Sequence, residues 1–160
     1  MNTKRTGYLD EKIALVRAQR LCSRREKCIS EVRKDFVRWN VDPESMEEII
    51  KTLVRQGYID EERYAVTFAR DKVHLNRWGL RKVEYALKSK GISAPNIKKA
   101  IDEVRELVTL ESICDLMEKK ARTVKYSNPE ELKIKLIRFG LSRGFTYDEV
   151  SAAVDTIISR

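Results

Sequence analysis

The side chains that carry hydrolytic, redox or metal chemistry are thinly spread in this chain. Its single histidine, His74, lies in Lys72-Val73-His74-Leu75 with no metal-ligating partner at helical spacing, which predicts a solvent-facing or internally satisfied imidazole. The three cysteines, Cys22, Cys28 and Cys114, are odd in number and form no C-x-x-C pair, which argues against both a disulfide framework and a zinc knuckle and for a reducing cytoplasm. Six scattered glycines build neither G-x-x-x-x-G-K-[ST] nor G-x-G-x-x-G, so no phosphate-cradling loop is expected. The expectation is a protein that is not an enzyme and holds no metal or cofactor.

What the chain does have is positive charge. Lys and Arg number 33 against 25 Asp and Glu, a formal net charge of +8. Residues 17 to 38 hold eight basic residues against three acidic, residues 63 to 90 eight against two, and residues 118 to 143 eight against three. By contrast, residues 42 to 62 and the C-terminal segment lean acidic. An asymmetry repeated along the chain would make a broken basic stripe suited to a polyanion or a nucleoprotein surface. Arg70, Arg77, Arg81, Lys82, Lys88 and Lys90 are the densest set, and Arg24 and Arg25 should also point outward. These eight are the candidate contacts to DNA or to such a nucleoprotein surface. Trp78, bracketed by Arg77 and Arg81, has the chemistry to stack on a base. A tryptophan at a helix entry more often packs over the junction, however, and Trp39 reads the same way. Tyr58, Tyr64 and Phe68 read as core.

The elements that position these side chains follow from a repeat. Asn40, Gly91 and Gly144 stand 51 and 53 residues apart, and around them the apolar pattern recurs. One residue past the anchor stand Val41, Ile92 and Phe145; six past, Met46, Ile97 and Val150; ten past, Ile50, Ile101 and Val154; thirteen past, Leu53, Val104 and Ile157. Steps of four and three line one face of an α-helix. Eight residues before the anchors lie Val32, Val83 and Leu136, and four before lie Phe36, Leu87 and Gly140, the last a departure. A second helix therefore precedes each anchor. Its start is marked by S-x-x-E in Ser23-Arg24-Arg25-Glu26 and Ser127-Asn128-Pro129-Glu130, while the middle one begins near Trp78. The third helices start at Asp42 before Pro43, at Ser93 before Pro95, and at the box Thr146-Tyr147-Asp148-Glu149. A first helix in each repeat is read from Leu9, Ile13 and Val16, from Ala65 to Val73, and from Leu110 to Val124. No Gly or Pro falls between Ile97 and Val124, which leaves open whether one helix runs through.

The expected fold is all-α: three tandem three-helix repeats in an elongated, straight or curved arrangement. Residues 1–7 form a tail, 8–57 the first repeat, 58–108 the second and 109–160 the third. The polar start lacks a secretory pattern, and no stretch approaches the roughly 20 apolar residues of a membrane span. A monomer is expected.

The run Gly57-Tyr58-Ile59-Asp60-Glu61-Glu62-Arg63-Tyr64-Ala65 with Phe68, then Trp78-Gly79-Leu80-Arg81-Lys82-Val83 and Leu87-Lys88-Ser89-Lys90-Gly91-Ile92, resembles the central region of the RecX family. The first repeat departs from it with Trp39-Asn40 where a basic residue and Gly are more usual. The resemblance implies a nonenzymatic regulator that lies in the groove of the RecA recombinase filament on single-stranded, and also double-stranded, DNA and dampens its ATPase and strand exchange. On this reading the basic first and second helices face DNA or the filament, and the acidic third helices meet basic patches on recombinase subunits. A helix-turn-helix DNA-binding protein is the alternative, but its recognition elements would be the acidic third helices, which phosphates repel. A pure protein scaffold is a further rival, separated by a weak dependence of binding on salt.

Overall fold

The computed structural model describes residues 7–160, so most of the expected N-terminal tail, residues 1–6, lies outside the described residues. Among the described residues the chain forms nine α-helices and no strand: α1 Glu11–Arg24, α2 Ile29–Arg38, α3 Pro43–Arg55, α4 Glu61–His74, α5 Leu80–Ser89, α6 Ala94–Val104, α7 Leu110–Ala121, α8 Pro129–Ser142 and α9 Tyr147–Ile158. A single 3-10 turn, Arg105–Leu107, separates α6 from α7. Thr109 then caps α7 in a box with Ser112, so two helices form where no Gly or Pro marks a break.

Why the repeat is visible in the sequence is plain in the backbone. Asn40, Gly91 and Gly144 all have positive φ, 58°, 78° and 93°, and each ends a second helix. The next amide reverses the chain onto the last turn: Val41 N–H donates to the Phe36 carbonyl, Ile92 to Leu87 and Phe145 to Gly140. This left-handed termination tolerates Gly and, at some cost, Asn. The apolar residues that follow are buried as the register predicts, with Ile157 half-buried.

The helices pack in threes around three cores, and Val108 packs against both the second and the third. Ala14, Val32, Phe36, Ile50, Leu53 and Ile59 belong to the first, Tyr64, Ala69, Val83, Leu87, Ile101 and Val104 to the second, and Ile113, Met117, Leu136, Phe145, Val150 and Val154 to the third. Tyr58 and Ile59 pack with the first core, and Cys28, from the α1–α2 link, with the second. The accessible surface is 10524 Å². A compact chain of 18.7 kDa would expose about 8300 Å². Three small cores in sequence expose more surface than one shared core of the same mass.

Three local expectations are corrected. Ser23 does not cap α2: it lies inside α1, and its hydroxyl donates to the Gln19 carbonyl. Residues 25–28 are irregular, and α2 starts at Ile29 without a side-chain cap. At α8 the cap is Asn128 rather than Ser127, with Glu131 accepting from the Ser127 amide. In α1 the core face is Ala14, Ala18 and Cys22, while Ile13 and Val16 are 53% and 45% exposed. The remaining departure, Gly140, has a use: a Cβ there would lie 2.6 Å from Met117 Cε and Val150 Cγ2, so these side chains fill the space that Phe36 and Leu87 occupy in their own repeats.

Candidate nucleic-acid interface

The same device joins each trio to the next: the start of its second helix docks on the following trio. At the first junction the Glu31 carboxylate, in the first turn of α2, accepts from Tyr64 Oη and Lys90 Nζ, both at 2.9 Å, with Arg25 4.0 Å away. Burial pushes the Glu31 carboxyl up, but the Lys90 and Tyr64 hydrogen bonds and the Lys90 and Arg25 charges together hold it below its usual value. The same burial and the bond to Glu31 push the Tyr64 phenol up. Arg63 Nε donates to Glu26 at 2.6 Å. Glu61 faces the Ile29 amide, and burial raises its carboxyl despite the Arg33 charge.

At the second junction Gly79 N–H donates to the Arg143 carbonyl at 2.7 Å, Arg81 N–H to Gly144 at 3.2 Å, and Arg143 Nη2 to the Asn76 carbonyl at 2.8 Å. Gly79 and Gly144 touch through backbone alone: a Cβ on Gly79 would lie 2.3 Å from the Gly144 carbonyl carbon. Trp78 packs edge-on against Phe68, with Lys72 Nζ 4.9 Å and Lys82 Nζ 4.6 Å from its ring centroid. Trp78 is thus a joint, half-buried and flanked by cations.

The eight candidate residues divide accordingly. Lys90 and Arg25 lie at the first junction on Glu31, and Arg70 pairs with Glu103 at 3.0 Å. Lys82 covers Trp78 and reaches the Ser142 carbonyl at 3.4 Å. Arg77, in the left-handed conformation at φ 55°, is exposed beside the crevice between Trp78 and Phe145. Arg81 and Lys88 are exposed on one face of α5 and have no acidic partner among the described residues. Arg24 is exposed in the last turn of α1, next to Arg25 in the chain, and lines a groove on the first trio.

Between Arg81 and Lys88 stands a residue the sequence reading missed: Tyr85, 74% exposed. The i, i+4, i+7 spacing of Arg81, Tyr85 and Lys88 carried the signal, since it puts an aromatic ring between two cations on one helix face. The acids of the third helices, by contrast, are largely engaged within their own trios. Glu47 pairs with Arg33, Glu103 with Arg70 and Asp155 with Lys133. Helix α6 is not acidic as expected: Lys98 and Lys99 balance Asp102 and Glu103.

The cysteines do not pair; all three are free and buried, and burial raises the Cys22 and Cys114 thiols. Among the described residues no His, Cys, Asp and Glu side chains group as a metal site, and no helix is long and apolar enough to cross a membrane.

Tandem three-helix units, the middle one exposing Arg81, Tyr85 and Lys88 on α5, define the chain as an all-α modular protein. The chain belongs to the RecX family of regulatory proteins: the family's second three-helix domain matches residues 60–101 and its third matches residues 108–154. The regulatory protein RecX of Clostridium botulinum strain Eklund 17B is 27% identical over 99% of this chain and 77% of its own length. That of strain Alaska E43 is 30% identical over 71% of this chain, which spans only 53% of it. The crystal structure of RecX from Lactobacillus salivarius has a TM-score of 0.76 at 20% identity, covering 94% of this chain and 97% of that one. A second RecX crystal structure has a TM-score of 0.81 at 22% identity, covering 91% and 73%.

Proposed function

We propose that this protein regulates the RecA recombinase, binding its filament on DNA in the cytoplasm as a monomer and damping ATP hydrolysis and strand exchange. The observation that carries the reading, beside family membership, is the α5 strip Arg81–Tyr85–Lys88: an open ring between two cations that form no ion pair among the described residues, although the exposed Glu84 lies beside them. Cations of this kind bind phosphates and an exposed tyrosine stacks on an unpaired base, which suits single-stranded DNA held within a filament. Arg77, exposed just before α5 begins, adds a further cation to the middle unit. Regulation then requires only that the protein prefer one filament state over the other. Repeats of residues 8–57, 58–108 and 109–160 would place this strip in the middle unit.

Sequence-specific duplex reading by a third helix is disfavoured because Lys98 and Lys99 of α6 are engaged with Asp102 and Glu62. The test is recombinase-driven ATP hydrolysis on single-stranded DNA with the full chain titrated in, beside Arg81→Glu/Lys88→Glu and Tyr85→Ala. Inhibition is expected from the unaltered protein, weakened about tenfold or more in the double reversal and less in Tyr85→Ala. No inhibition by the unaltered protein overturns the function; equal inhibition by all three overturns the α5 site.

A further inference from the structure

The first trio carries a second surface that the α5 reading leaves unused. Because α1 packs inward through Ala14, Ala18 and Cys22, its opposite face turns Lys12, Ile13, Val16, Arg17, Arg20 and Arg24 to solvent. With Trp39 and Arg38 on its flank, this face forms an open groove of about 660 Å³. No Asp or Glu lines it. The acid at the start of α1, Glu11, is held by the Ser45 hydroxyl, and the nearby Asp35 is buried and takes up the charge of Arg38. Lys12, Arg20 and Arg24 have no acidic partner among the described residues.

The floor decides what this positive face is for. Ile13 and Val16, half exposed and one turn apart, gain nothing from phosphates and do not stack on bases. The groove's one aromatic ring is already in use: Arg17 Cζ lies 5.0 Å from the Trp39 centroid, and Phe36 packs against the same indole at 5.9 Å. The open ring of Tyr85 shows what a base platform on this protein looks like; Trp39 is not one. An aliphatic floor rimmed by cations is complementary to a helix with apolar residues on one side and acids beside them. The 14 residues of α1 span about 21 Å, room for three to four turns of such a partner.

We propose that this face docks an acidic amphipathic helical segment of a partner protein, with apolar side chains seated on Ile13, Val16 and the edge of Trp39 and carboxylates on Lys12, Arg20 and Arg24. The inference stands apart from the α5 contact with DNA and survives its failure.

The test uses the full chain and three fluorescently labelled probes: a designed 16-residue helix with Leu along one face and Glu on the other, a scrambled peptide of the same composition, and a thymidine oligonucleotide. Anisotropy gives affinity, and amide chemical shifts locate the contact. The amphipathic helix is expected to bind about tenfold or more tightly than its scramble and to shift α1 and Trp39 amides. Ile13→Ser/Val16→Ser should cost it about tenfold, and Arg20→Glu/Arg24→Glu should remove binding. The replaced side chains are exposed, and thermal unfolding checks that the fold persists. No binding, equal binding of the scramble, or an affinity indifferent to Ile13 and Val16 overturns the proposal. So does an oligonucleotide that shifts the α1 amides and displaces the helix, which would give this face to nucleic acid.

Discussion

Two carboxylates show how differently single side chains act in this protein. Asp35 is 5% exposed and sits between Lys27, at 2.5 Å, and Arg38. The Lys27 side chain is itself only 12% exposed. Removing Asp35 leaves that ammonium buried without a partner, so Asp35→Ala should lower stability by about 3 kcal/mol in urea unfolding, and Lys27→Met on top of it should recover a large part. Glu31 acts through its protonation state. Its carboxyl is held below the usual 4.5, so the ionised form is better off folded than unfolded. That contribution is complete above 4.5 and is lost as pH falls through the lower folded value. Stability measured against pH should therefore fall more steeply on the acid side for the unaltered protein than for Glu31→Gln. Neither role is legible in the sequence, where both residues are simply acids within a basic run. What they do depends on Lys27, Tyr64 and Lys90 converging on them, and only folding brings Tyr64 and Lys90 beside Glu31.

At the scale of helices, legibility followed the strength of the local signal. The second-helix ends were readable because a left-handed residue followed by a buried apolar one is a chain-local requirement, met by Asn40, Gly91 and Gly144. The start of α2 was not, because Cys28 gives up a side-chain cap to pack into the next trio. In α1 the larger apolar residues, Ile13 and Val16, drew the core assignment, whereas the face that lies close to its neighbours is built from the small residues Ala14 and Ala18. The docking of α5 on the α8–α9 turn was hidden too, since it relies on what Gly79 and Gly144 lack. Gly79→Ala places a Cβ against backbone that cannot yield. It should break the hydrogen bonds that the Gly79 and Arg81 amides donate across the junction and speed hydrogen exchange at both positions. Far-UV circular dichroism should barely change, because the trios' own cores are untouched. Unchanged exchange at Arg81 would show that the glycine contact does not hold the junction.

Over the whole molecule, those junctions decide how the two cationic faces stand relative to each other. Each trio has its own apolar core, and the links between trios mix polar and apolar contacts: Glu31 with Tyr64 and Lys90 at the first, backbone hydrogen bonds around Gly79 with Val108 packed against both neighbouring cores at the second. The arrangement depends on a few close fits, above all Cys28 in the second core and Gly79 against Gly144. A compact chain of this length has a radius of gyration of about 15 Å. Small-angle scattering of the full chain should give a clearly larger value with a narrow distribution of distances. Gly79→Ala should broaden that distribution, by freeing the third trio while leaving each core intact. If the α5 strip works by lying along a filament, the same substitution should weaken recombinase inhibition although it removes no charge; inhibition that survives a broadened distribution would mean that the middle trio acts alone.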